Sequence, residues 1–152
     1  MSILTTLHLL AAVVWVGGMF FAYLVLRPAA GRLSVAERLQ LWCDCFSRFF
    51  LWVWLSVLLL LVTGYAMLFG YYGGFGGAGV HIHIMHLLGW LMFLLYGHVY
   101  FSPWRKLKKA LSLDQYEAAA RQLGQIRLFV AINLTLGLAV IAVASGGRYL
   151  LA

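Results

Sequence analysis

Four stretches of this chain, 3–26, 46–69, 80–101 and 128–144, are apolar almost throughout, and they constrain the fold more than any other feature. A helix needs roughly 20 such residues to cross the hydrocarbon of a bilayer. Each stretch is continuously apolar rather than alternating, so helices are predicted and barrel strands are not. Composition removes the alternative of a soluble core. Charged residues are 10% of the chain and hydrophobic residues 64%, with mean hydropathy +0.94. A soluble domain carries about 25% charged residues to face water. The outer solvent of this chain is therefore expected to be lipid.

The basic residues predict orientation. Arg27, Arg32, Arg38 and Arg48 lie in or beside the first connection, and Arg105, Lys106, Lys108, Lys109, Arg121 and Arg127 in or beside the third. The second connection, 70–79, carries no charge, and the C-terminal end offers Arg148. The positive-inside rule puts the first and third connections in the cytoplasm and both termini outside. The expected architecture is an all-α integral membrane protein, an up-down four-helix transmembrane bundle forming one domain over 1–152. The first stretch is expected to be retained. No Lys or Arg precedes it, its apolar run is too long for a signal peptide, and no small-x-small site stands before Arg27. The net charge of +7 is absorbed by topology and anionic lipid, so nucleic acid is not an expected partner.

Local signals mark the ends. Pro28 and Pro103 follow the first and third spans and are expected to stop them. Ser34-x-x-Glu37 reads as a capping box and Ser112-x-x-Gln115 as a second. Tyr71, Tyr72, Phe75, Trp104 and Tyr149 suit interfacial aromatic belts.

An ionisable side chain inside a span is costly and marks a functional position by default. His8 and His86 lie at similar depth from the outer face, roughly 8–9 Å at 1.5 Å per residue. They belong to the first and third spans, diagonal in an up-down bundle, and could approach a shared centre from opposite sides. Imidazole suits haem iron, copper or zinc. Gly17, Gly18, Gly64, Gly89, Gly97 and Gly137 fall within spans and would give either room for a macrocycle or close helix packing. His81, His83 and His86 form H-x-H-x-x-H at the outer start of the third span, with Met85 among them. Imidazole and thioether together suit copper. His83 and His86, three apart, share a helix face.

His98 lies about 18 Å beyond His86 along the axis, toward the cytoplasm. Arg48 and Asn133 are its polar company at that level and could hold propionates, a quinone carbonyl or a proton path, or bond among themselves. Cys43-x-Cys45 points its thiols to opposite sides of a helix and reads as two ordinary thiols. The acids Glu37, Asp44, Asp114 and Glu117 all sit in cytoplasmic segments, so no carboxylate pair lies within the membrane. No phosphate loop or dinucleotide fingerprint is present.

Leu7-His8-Leu9-Leu10 followed by Trp15-Val16-Gly17-Gly18 resembles the first helix of the CopD family of copper-resistance membrane proteins. With Arg27 closing that helix, the pattern is also similar to the HemJ-type haem-binding four-helix membrane proteins. His83 through His98, the basic 105–109 loop, and Arg127 through Asn133-Leu134 extend the resemblance over most of the chain. One resemblance implies copper handling across the inner membrane, the other b-type haem; together they mark His8, Arg48, His86, His98 and Asn133. The chain departs from the HemJ type where Met85 and His86 stand in place of an expected lysine.

The leading expectation is a haem b protein of the bacterial inner membrane. His8 and His86 would be axial ligands serving electron transfer or membrane oxidoreduction. The alternative is copper binding or transport through His81, His83, Met85 and His86, with His8 as a further metal ligand. Expected partners are the lipid bilayer and a quinone or periplasmic redox or metal partner; pairing with a second copy stays open.

Overall fold

The computed structural model describes residues 2–150, and every regular element among them is helical. Helix α1 (Ser2–Phe20) continues through a π-helical segment, Phe21–Leu26, into the short α2 (Arg27–Ala30). Helix α3 (Val35–Tyr71) leads through a 3-10 turn, Phe75–Gly77, to α4 (Val80–Phe101). Helix α5 (Pro103–Ser112) and the long α6 (Tyr116–Leu150) complete the chain. Four helical runs, Ile3–Ala30, Val35–Tyr71, Val80–Ser112 and Tyr116–Gly147, are long and apolar enough to cross a membrane. The protein is a four-helix, multi-pass membrane bundle, as its apolar stretches predict. Leu51 is 71% exposed and Leu87 70% exposed, surface that only lipid would cover favourably. The side chain of Arg148 lies outside the described residues.

The connections hold two departures from expectation. Pro28 does not stop the first span. It occupies the first turn of α2, where a missing N–H costs nothing, and the preceding π-helical segment has already changed the hydrogen-bond register. Arg27 N–H reaches back to Ala22 O, a five-residue step. Ser112 does not cap α6 either. It ends α5, its hydroxyl donates to Lys109 O at 2.7 Å, and the turn through Asp114 (φ 54°) brings Gln115 N–H to Ala110 O at 2.9 Å. The reason is amphipathic: Pro103, Trp104, Leu107 and Ala110 are buried while Arg105, Lys106, Lys108 and Lys109 face outward, so α5 is stabilised through its full length. The other two signals act as read. Ser34 and Glu37 form a reciprocal capping box at the start of α3, and the bond from Ser34 holds the Glu37 carboxyl below its ordinary range. α4 ends at Phe101, two residues before Pro103.

Helix α1 packs along α3, and α4 with α5 packs along α6. The seam between α3 and α4 is filled by rings. Trp54 lies 5.2 Å from Tyr96 and 5.4 Å from Tyr100, and Phe50 lies 5.3 Å from Trp104. Tyr96 satisfies its buried hydroxyl by donating to Phe50 O at 3.0 Å. Leu39, Leu107, Leu123 and Ile126, all fully buried, gather at the basic end. There α5 and the stems of α3 and α6 enclose a core of the soluble kind. At the opposite end, here the loop end, Gly73 (φ 67°) and Gly74 (φ 96°) turn the chain from α3 toward α4.

Candidate functional site

His8, Thr63, Tyr65, His81, His83 and His86, from α1, α3 and α4, lie toward the loop end. His8 on α1 faces α3, where its Nδ1 lies 2.8 Å from Thr63 Oγ1. The Thr63 hydroxyl also lies within hydrogen-bond reach of Leu59 O; when it donates there, it accepts from a His8 protonated at Nδ1. In that tautomer Nε2 keeps its lone pair, the arrangement that a metal-ligating histidine uses. Gly64 admits the ring, since a Cβ there would stand 3.3 Å from His8 Cε1. One turn outward, the Thr5 hydroxyl meets the Met67 sulfur at 3.5 Å.

His86 touches the next residue of α3, with its ring 5.5 Å from Tyr65, 5.1 Å from Phe75 and 6.4 Å from Trp90. His8 and His86 thus stand at one level of α3. The same register appears two turns deeper, where Trp15 stacks on Phe93 at 5.6 Å; each ring is seven residues beyond its histidine and shares its face. Thr63 and Tyr65 point about 200° apart on their helix, however, so the two histidines address different faces of α3.

The H-x-H-x-x-H segment divides. His83 is exposed and stacks on Phe75 at 5.9 Å, while His86 meets the edge of the same ring. His81 turns instead toward α6. Its seat is cut to shape by two glycines: a Cβ on Gly147 would lie 2.8 Å from His81 Cβ, and one on Gly79 would lie 2.9 Å from His81 Cε1. Within that seat His81 Nδ1 is buried without a hydrogen-bond partner. An orphaned imidazole nitrogen is costly in an apolar surrounding unless something binds it. Met85, four residues on, lies on the same face of α4 as His81. Among the described residues no three His, Cys, Asp or Glu side chains come together to hold a metal ion. A metal here would be held by imidazole and thioether in small sets, which suits copper better than zinc.

The basic-end trio is not assembled. His98 is exposed and packs on Phe129 at 4.9 Å, and Arg48 is exposed. Asn133 is buried and donates to Met92 O at 3.2 Å, leaving its Oδ1 unpartnered. Cys43 and Cys45 are free thiols. The glycines expected to give room split by position. A Cβ on Gly18 would run into Phe49, and one on Gly137 would stand 2.8 Å from Val16 Cγ2, so both mark close packing. Gly17, Gly89 and Gly97 have open space beside them. They do not frame one pocket around His8 and His86. Residue identities alone did not show Thr63 as the partner of His8, or Gly79 and Gly147 as the seat of His81. The available signals were Thr63 as a polar residue at matched depth and a glycine pair near the C-terminal end of α6.

Residues 44–146, more than half of the chain, match the family model described as CopD, copper resistance protein D. No curated protein and no solved structure gives a match.

Proposed function

The chain belongs to the copper resistance protein D family, and from that premise we propose that it binds copper as cargo at the loop end of the bundle. Exposed His83, with His86 one turn deeper, captures the ion at the mouth; both imidazoles are held against Phe75. His81 Nδ1, with the Met85 thioether, forms the seat within. His8 Nε2, oriented by Thr63, is a further donor at the depth of His86. The observation that carries this reading is the buried, unpartnered His81 Nδ1 in a seat that only glycines at 79 and 147 leave open. The loop end is the periplasmic face of a bacterial inner membrane under this reading, because the opposite end carries ten of the eleven basic residues. Copper would then arrive from a periplasmic donor protein.

The test is metal content of the full chain purified in detergent after growth with copper. Stoichiometric copper is expected, lost in His81→Ala/Met85→Leu and reduced in His83→Ala/His86→Ala. Copper content unchanged by both double substitutions would refute the assignment.

Haem b, with electron transfer, is the other reading; His8 and His86 stand level along α3 but address different faces of it. The residues around them fit haem poorly, because Gly64 is occupied by the His8 ring and Gly137 by Val16 and Met92. An oxidised and then dithionite-reduced absorption spectrum of the same sample separates the two readings. A Soret band with split reduced bands would replace copper by haem; their absence beside bound copper supports the cargo reading.

A further inference from the structure

A cavity of about 530 Å³ opens at the basic end, on the opposite side of the bundle from His8, His81, His83 and His86. Arg27, Arg38 and Arg127 line it, with Tyr23, Trp42 and Pro28 among the other walls. It is far larger than one phosphate and within the usual range for small-ligand sites, about 300–1,000 Å³. We infer that this cavity binds a phosphate-bearing anion, its oxygens taken by the three guanidinium groups and its carbon skeleton by the aromatic wall.

Topology alone does not require this convergence. The positive-inside rule asks only for basic residues near that face, and exposed Arg32, Arg105, Lys106, Lys108 and Lys109 already satisfy it. Long cationic side chains on a surface spread apart into water. Here Arg38 and Arg127 are half-buried and turn with Arg27 into one space. The groups acting on the Arg127 charge are Arg27, Arg38 and Tyr23, and no carboxylate is among them. None of the lining residues is acidic. The nearby acids of α3 are engaged elsewhere, Glu37 with Ser34 and Asp44 with Gln40 Nε2 at 3.1 Å. Three like charges facing one cavity raise its affinity for a polyvalent anion.

The choice of side chain narrows the ligand. The cavity carries only arginine as its cation, whereas the exposed cations of α5 are one arginine and three lysines. A guanidinium fork matches phosphate oxygens in pairs, which an ammonium group cannot do. Arg27 is ordered in advance by lying 4.9 Å over the Tyr23 ring. The π-helical segment Phe21–Leu26 contributes Tyr23 and Leu24 to the wall, and such insertions recur at functional sites. A crevice of about 10 Å³ shares Tyr23, Arg27, Trp42 and Arg127 with the cavity and adds the apolar Ala22, Phe46 and Val130 beside it. The ligand chemistry is therefore a phosphate with or without an apolar tail, supplied by an anionic phospholipid or by a free phosphate compound.

The experiment compares the full chain with Arg38→Gln/Arg127→Gln and with a charge-matched control on α5, Arg105→Gln/Lys109→Gln. Two probes are used: nanodiscs of phosphatidylcholine with or without phosphatidylglycerol, scored by lipid retained in native mass spectrometry, and pyrophosphate titrated into protein in uncharged detergent. Retention of phosphatidylglycerol, lost in the cavity double variant and kept in the control, assigns the site to a lipid headgroup. Pyrophosphate binding that weakens about tenfold or more in the cavity variant, with no lipid preference, assigns it to a free phosphate compound. Equal behaviour of the two double variants, or binding of neither probe, overturns the inference. If the cavity variant fails to insert, Arg127→Lys decides. It keeps the charge but loses the fork, so weakened binding at native helicity supports the site and undiminished binding refutes it.

Discussion

Replacing Gly147 by alanine should close the seat of His81. The new Cβ would stand 2.8 Å from His81 Cβ and 3.3 Å from Val143 Cγ1. The first contact is to an atom fixed to the α4 backbone, so relief requires α4 and α6 to part locally or the imidazole to leave its seat. Forced overpacking of this kind costs about 1–3 kcal/mol. Alanine in a helix returns about 1 kcal/mol relative to glycine. The net penalty to folding is therefore about 0–2 kcal/mol, while copper binding, which must return the imidazole to the closed seat, bears the overpacking term itself and weakens by roughly five- to 150-fold. Gly124→Ala is the paired control: it lies on the same helix with nothing within 4 Å of its would-be Cβ. That variant should keep native affinity and melt slightly higher. The assay is competition for copper against a chromophoric chelator, with a thermal melt of each protein in detergent. Should Gly147→Ala bind copper like Gly124→Ala and share its higher melting temperature, the glycine seat has no role and the argument from the orphaned nitrogen fails with it.

Thr63→Val keeps the shape of the side chain and removes the hydrogen-bond partner of His8 Nδ1. Leaving that nitrogen unsatisfied costs about 1–3 kcal/mol, so a thermal melt should shift downward; an unchanged melt would show that His8 finds another partner. Ser34→Ala removes the reciprocal cap of α3 and should cost about 0.5–2 kcal/mol. The loss is expected at the basic end alone, read as faster amide exchange over the first turns of α3 with copper binding intact.

The bundle was legible in the sequence because four long apolar stretches admit one solution once backbone hydrogen bonds must close without water. The α4 limits were legible too, since Gly79 and Pro103 bracket 80–101. The course of the chain past Pro28 was not. A proline signals an end, and nothing local announces that a π-helical segment will carry the helix onward. Periodicity correctly paired His83 with His86, but the seat of His81 depends on Gly147, which belongs to another helix. The convergence of Arg27, Arg38 and Arg127 was equally hidden. Each reads locally as a topology signal, and only the packing of three helices turns them toward one another.

The great length of α3 and α6 makes the molecule lopsided. A helix rising 1.5 Å per residue from Val35 to Tyr71 runs about 55 Å, against a hydrocarbon core of about 30 Å. Since α3 ends in the short loop before α4, the excess stands almost wholly on the basic side, with α5 and the stem of α6 beside it. On the other face the described residues contribute little more than the turn from Tyr72 to Gly79. A partner that docks on that turn works at the depth of the lipid headgroups. A carrier delivering an ion would have to press against the bilayer itself, so its own surface should suit lipid as much as protein. Assemblies that need a tall protein handle would meet one only from the opposite side.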